Sequence, residues 1–171
     1  HKTHFTAILN RLLAQNGHFV VASGRDVASV DPIFKSFAGL YDLVADNGAV
    51  VRTAAGEIIQ MVGLHVKDVA VIMEVVNALP FQPIHGAVFT GITQPYMLKS
   101  QARINLAHKA KIAKFYPNLK LIDSVDQINE AILKVTITYE ENKMQEFIDA
   151  ARLTLDDRGH VTTSGYGSVD I

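Results

Sequence analysis

Four apolar residues in succession, Phe19-Val20-Val21-Ala22, run directly into Ser23-Gly24-Arg25. An apolar run of this length between turn residues reads as a strand covered on both faces, the habit of a parallel sheet lying between layers of helices. This stretch constrains the rest of the chain, because parallel strands need crossover connections and gather ligands at one end. The functional crevice of an open α/β sheet lies beyond the carboxyl ends of its strands, where Ser23, Gly24 and Arg25 fall. Their chemistry suits an anion: a hydroxyl donor, a glycine that lets backbone approach closely, and a guanidinium fork matched to phosphate or carboxylate. A purely structural turn accounts for the same three residues equally well, so the neighbouring strand ends carry the decision.

On the amino-terminal side, Phe5, Ile8, Leu9, Leu12 and Leu13 recur at helical spacing, and Asn16-Gly17 supplies a left-handed stop. On the other side, Val27, Val30, Ile33, Phe34 and Phe37 repeat the pattern around Pro32, and Gly39 ends it. A short strand, Leu43-Val44-Ala45, then runs into a second polar turn, Asp46-Asn47-Gly48-Ala49. A strand-helix-strand crossover makes the two strands parallel, which brings Ser23 and Asn47 to the same sheet edge. Residues 50–52 and 58–60 flank Ala54-Ala55-Gly56 as a hairpin.

Beyond residue 60 the pattern is a balanced α+β one. Helical spacing covers 66–79, strands are expected at 83–90, 95–98, 120–122, 131–139 and 160–164, and a basic amphipathic helix at 103–116 carries Lys109, Lys111 and Lys114 on a solvated face. A helix over 142–155 has Asn142 as its cap and Gln145 at the capping-box position. His85, His108 and His160 lie away from the first sheet's strand ends, and Asp123, Asp126, Asp156 and Asp157 read as solvated loop or helix-end charges.

Composition removes several function classes. Sixteen basic and 17 acidic residues leave a formal charge of -1 with no basic run, which gives no case for nucleic acid or an anionic membrane surface. The absence of cysteine excludes disulfides, zinc-thiolate sites and thiol nucleophiles, and is compatible with a reducing, cytoplasmic compartment. The seven histidines show no compact metal-ligand spacing.

Four features in order resemble the haloacid dehalogenase superfamily in its Cof-type branch of sugar-phosphate phosphatases. They are the helix ending in Asn16-Gly17, Val20-Val21-Ala22-Ser23-Gly24-Arg25, Ala45-Asp46-Asn47-Gly48-Ala49, and the run from Val161 through Ser164-Gly165-Tyr166-Gly167 to Asp170-Ile171. The resemblance implies an α/β fold, a partial Rossmann-like core at 1–59 with an inserted α/β cap at 60–164 and a return to the core at 165–171. It further implies a magnesium-dependent phosphatase that hydrolyses a small phosphorylated metabolite through an aspartyl-phosphate. Ser23 matches the hydroxyl that binds the transferring phosphoryl group, with the Gly24 backbone beside it, and Arg25 and Asn47 match positions facing the phosphate or substrate. Tyr96 and Lys99, with Tyr166, are candidates for a cap surface that selects substrate, although core packing would explain the tyrosines equally well. Asp46 could touch a sugar hydroxyl or simply cap its own turn.

The family's Asp-x-Asp motif, carrying the nucleophile, belongs on a strand before the helix at Phe5. Its lysine and its magnesium-holding acidic pair belong after Ile171. The chain is therefore expected to be a fragment without the first, third and fourth motifs, with no catalytic residue or metal ligand of its own, Mg2+ ligands outside it and no activity alone. The competing expectation is a non-catalytic module that uses Ser23, Arg25 and Asn47 to bind a phosphorylated ligand or partner.

Overall fold

The computed structural model describes residues 1–102, 112–165 and 167–171. Most of the expected helix at 103–116, with Lys109, Lys111 and His108, lies outside the described residues, as does Tyr166; residues 112–115 are helical. The chain divides into two compact units, 1–62 and 63–171, each built on its own sheet.

In the first unit, helix α1 (Lys2–Ala14) ends as its sequence requires. Asn16 takes φ 56°, and the Gly17 N–H donates to the Leu12 carbonyl at 2.9 Å, closing the last turn. Glycine at position 17 leaves room for Leu12, whose Cδ1 would stand 2.5 Å from a Cβ there. Phe5 seats α1 with its ring edge-on to Phe19 and Phe37, at centroid distances of 5.3 and 4.9 Å. Strand β1 (Val20–Ala22) pairs in parallel with β2 (Asp42–Ala45), and the crossover between them contains α2 (Val27–Phe34). Asp26 caps α2 by accepting the Ser29 N–H at 2.6 Å. Strands β3 (Val50–Arg52) and β4 (Ile58–Met61) add antiparallel partners, giving the order β1-β2-β3-β4. Leu43 and Ala45 are fully buried, but β1 departs from expectation: Val20 is 49% exposed. Val20 and Ala22 are exposed and Val21 between them is half-buried, so one face of β1 is open and its apolar run is not covered on both faces.

The second unit contains α3 (Val66–Ala78), β5 (Val88–Gly91), β6 (Pro95–Leu98), β7 (Lys120–Ile122), β8 (Ile132–Thr138), α4 (Glu141–Leu155), β9 (Thr162–Ser164) and β10 (Ser168–Asp170). Its sheet runs β7-β6-β5-β8-β10-β9. Every residue of β8 is buried, as a central strand demands. Phe89, Val135, Ile137 and Val169 from the sheet form one core with Val69, Ile72 and Val76 of α3 and Phe147, Ile148 and Ala151 of α4. Two expectations are corrected. Helix α4 starts at Glu141 with no side-chain cap, and Gln145 donates to Asp149 at 2.7 Å instead of closing a capping box. Residues 165–171 were expected to return to the first unit, but Ser168–Asp170 pairs antiparallel with both β8 and β9. Val169 is fully buried in the second core, and that burial fixes the strand there. Among the described residues, no helix is long and apolar enough to cross a membrane.

Candidate functional site

The parallel pairing of β1 and β2 brings two turns to one sheet edge. Backbone bonds stitch them together: the Ser23 N–H donates to Val44 at 2.9 Å, the Asp46 N–H to Arg25 at 3.0 Å, and the Asn47 N–H to Ser23 at 3.4 Å. Ser23 is half-buried, while Gly24, Arg25 and Asn47 are exposed around it. The Ser23 Oγ accepts the Arg25 N–H at 3.1 Å. That bond uses a lone pair of the hydroxyl and leaves its proton able to donate outward. Gly24 lies directly against the second turn, since a Cβ there would meet the Asn47 Oδ1 at 2.5 Å.

The second turn is strained in a sequence-specific way. Asp46, Asn47 and Gly48 all have positive φ, at 49°, 56° and 99°. With the Ala49 N–H donating to the Asp46 carbonyl at 3.1 Å, Asn47-Gly48 has the φ signs of a type I′ turn, which reverses β2 into β3. Asn tolerates the left-handed region better than most residues. The reversal therefore holds the Asn47 amide at the mouth of the edge. Asp46 is only 3% exposed. The sugar-contacting role weighed for it is thus not met, and it stands as a buried carboxylate beneath the turn.

An ion-pair cluster ties α2 to the other end of β2, where Tyr41 precedes the strand and Arg52 of β3 pairs with Leu43. Arg52 of β3 donates through two nitrogens to Asp31 of α2, at 2.9 and 2.6 Å, and the Tyr41 hydroxyl donates to Asp31 at 3.0 Å. Hydrogen bonding from Arg52 holds the Asp31 carboxyl below its usual range despite partial burial. Burial, followed by the Asp31 bond, pushes the Tyr41 phenol up.

In the second unit, the candidates Tyr96 and Lys99 do not share one environment. Tyr96 is 5% exposed in the core, and its hydroxyl donates to Glu130 at 2.5 Å, so it is a packing residue rather than a substrate-facing one. Lys99 is exposed and pairs with exposed Asp123 at 2.9 Å. Glu130 also accepts from the Thr93 N–H and hydroxyl, each at 2.7 Å. Burial alone would raise its carboxyl, yet the bonds from Tyr96 and Thr93 hold it below the usual range. No local signal pairs Glu130 with Thr93 or Tyr96, because the contacts cross 34 to 37 positions. His85 is buried and His160 exposed.

A parallel pair with donors at its carboxyl edge, extended by an antiparallel hairpin and followed by a separate α+β unit, defines a Rossmann-type α/β protein with a second domain. The comparisons agree with this class. A model of the haloacid dehalogenase-like hydrolases matches residues 2–171, and the chain belongs to that family. No curated protein matches it. Among solved structures, it resembles SMU.1108c from Streptococcus mutans UA159 at 23% identity and a TM-score of 0.81, over 98% of this chain and 61% of that one. TM0651 from Thermotoga maritima aligns at 17% identity and a TM-score of 0.70, over 96% of this chain and 60% of that one. The subclass IIB sugar phosphatase BT4131 aligns at 13% identity and a TM-score of 0.68, over 99% of this chain and 60% of that one. The chain thus spans about three fifths of the length of these structures.

Proposed function

We propose that this chain belongs to a phosphatase acting on small phosphomonoesters, with sugar phosphates as the substrate class, and that Ser23, Gly24, Arg25 and Asn47 hold the phosphoryl group. The observation carrying this reading is the meeting of a Ser hydroxyl, a glycine and an Asn amide at the edge of a parallel pair, in a chain of the haloacid dehalogenase-like family. Likeness of fold to BT4131, a named sugar phosphatase, supports the substrate class.

The roles follow from charge. A transferring phosphoryl group spreads negative charge over its peripheral oxygens, and preorganised donors stabilise that charge without reorganising. Ser23 donates its hydroxyl proton to one oxygen, Asn47 its amide N–H to another, Gly24 leaves room for the Asn47 side chain to lie against the first turn, and Arg25 supplies the positive charge. The acceptor of the phosphoryl group, an aspartate in the family pattern, is assigned to no residue of this chain.

Magnesium enters through the family resemblance alone. Magnesium takes an octahedral set of oxygen ligands, usually including one or two carboxylates. Of the two carboxylates in the edge turns, Asp26 caps α2 and Asp46 is 3% exposed. Among the described residues, no three His, Asp or Glu side chains are grouped to hold a metal. These residues do not fit a magnesium site.

Two measurements test the reading. The 171-residue chain should not hydrolyse p-nitrophenyl phosphate, since phosphate donors alone provide no covalent route. In a protein carrying this segment at full family length, Ser23→Ala should lower kcat on a sugar phosphate by roughly 100-fold, as for one lost oxyanion donor. Turnover by the chain alone, or an unchanged rate in the variant, would overturn the corresponding part.

A further inference from the structure

The dipeptide Asn-Gly occurs twice, as Asn16-Gly17 and Asn47-Gly48, and the structure holds the two in opposite ways. The pair is chemically labile because glycine has no side chain to shield its backbone nitrogen from the preceding side-chain amide. At the end of α1 the Gly17 N–H donates to the Leu12 carbonyl at 2.9 Å, and a Cβ on Gly17 would stand 2.5 Å from the Leu12 Cδ1. That nitrogen is engaged and its peptide is wedged against the helix.

In the turn after β2, by contrast, Asn47 is exposed, and nothing lies within 4 Å of a Cβ built on Gly48. The peptide between them therefore has room to rotate toward the Asn47 side chain. The Asn47 N–H reaches the Ser23 carbonyl at 3.4 Å, outside the usual span of about 2.7–3.2 Å, so one stitch of the turn is loose. Asn47 also holds a left-handed φ of 56°, which is costly for a residue with a Cβ and lowers the cost of opening the turn.

We infer that Asn47-Gly48 is a site of spontaneous deamidation and that Asn16-Gly17 is protected from it. The Gly48 nitrogen attacks the Asn47 Cγ; the new N–Cγ bond forms, the Cγ–Nδ2 bond breaks, and ammonia leaves with the proton from Gly48. Water then opens the five-membered imide. Cleavage of the new bond gives an aspartyl residue, and cleavage of the original peptide bond gives an isoaspartyl one; the net exchange is water in for ammonia out. The modification itself needs no assumption about function, but its consequence rests on the phosphoryl-holding role proposed for Asn47. A donor amide becomes an acceptor-only carboxylate whose charge repels phosphate, so the edge loses its hold as the protein ages.

Both sites can be compared in one sample. Trypsin cuts after Lys35 and Arg52, and the peptide 36–52 has Asn47 as its sole side-chain amide. After the 171-residue chain has stood at mildly alkaline pH, this peptide should show the mass shift of deamidation and elute as two isomers. The peptide 12–25, which carries Asn16, should keep its mass. In urea, where helix cap and turn are both lost, the two sites should convert at similar rates. An unconverted peptide 36–52, conversion at Asn16 as fast as at Asn47 in the folded chain, or the same disparity persisting in urea would overturn the inference. Inorganic phosphate titrated into fresh chain should shift the backbone amide resonances of Ser23 and Gly24, and the response should be lost in proportion to conversion at position 47. A fresh chain that ignores phosphate would count against the phosphoryl-holding role alone. An equal response from fully converted chain would overturn the consequence assigned to deamidation.

Discussion

Single positions at the candidate edge are set by contacts within a few ångströms. Gly24 is the sharpest case, because the space for its missing Cβ is taken by the Asn47 Oδ1, 2.5 Å away. In a full-length protein, Gly24→Ala should push the Asn47 amide aside and cost roughly as much as losing one donor, about 100-fold in kcat, with fold stability little changed. An unaltered rate would mean that Asn47 gives no catalytic help. Asp31 makes a second residue-scale prediction, through pH. Hydrogen bonding to Arg52 depresses its folded-state carboxyl relative to the unfolded chain. The resulting stability is fully present above the unfolded carboxylate range and is lost as pH falls through the folded value. Because the Asp31 side chain is 42% exposed, solvent screening limits the pair to about 0.5–1 kcal/mol. Asp31→Asn should lose about that much near neutral pH and flatten the acid limb of a denaturant-midpoint profile. An acid limb as steep as that of the unmodified chain would assign the sensitivity to other carboxylates.

Elements show what the sequence made legible and what it hid. The helix stop at Asn16-Gly17, the parallel pairing and the meeting of Ser23 with Asn47 were readable because each rests on local turn chemistry or on the handedness of one crossover. Burial was less readable. The run Phe19-Val20-Val21-Ala22 looks the same whether one or both faces of its strand are covered, and face cover is a long-range property; Val20 and Ala22 lie on the open face. Residues 168–170 misled for the same reason, since their pairing partner in β8 lies about 30 positions earlier. Tyr96 illustrates the limit at side-chain level: its composition permits either core or contact surface, and the structure puts it in the core against Glu130. Tyr96→Phe should therefore cost about 1 kcal/mol of stability, the worth of one hydrogen bond. It should leave the ranking of sugar phosphates unchanged in an active protein. A reordered ranking with unchanged stability would return Tyr96 to the substrate surface.

At the scale of the whole molecule, the two units draw on different side chains for their interiors. The apolar cluster that includes Val69, Ile72, Phe89, Val135, Ile137, Phe147 and Val169 lies wholly within 63–171. The first unit buries Leu9, Val30, Tyr41, Leu43, Ala45 and Val50, while leaving Ile8, Val20, Ile33 and much of β4 exposed. A domain of about 60 residues buries only about 60% of its unfolded surface, which makes this unit the less stable of the two. Heating the 171-residue chain should then give two transitions, the earlier one from the first unit. Ile137→Ala removes a fully buried side chain from the second core, and such deletions typically cost about 2–5 kcal/mol. For a domain near 100 residues this lowers the midpoint by roughly 10 °C or more. Leu43→Ala, also fully buried, should act on the earlier transition alone. Each variant should move one midpoint and leave the other within experimental error, because side chains in separate interiors contribute additively. Residues 63–171 expressed alone should keep the later transition and its sensitivity to Ile137→Ala. A single transition that both variants shift together, or a 63–171 segment without cooperative melting, would show that the two interiors fold as one.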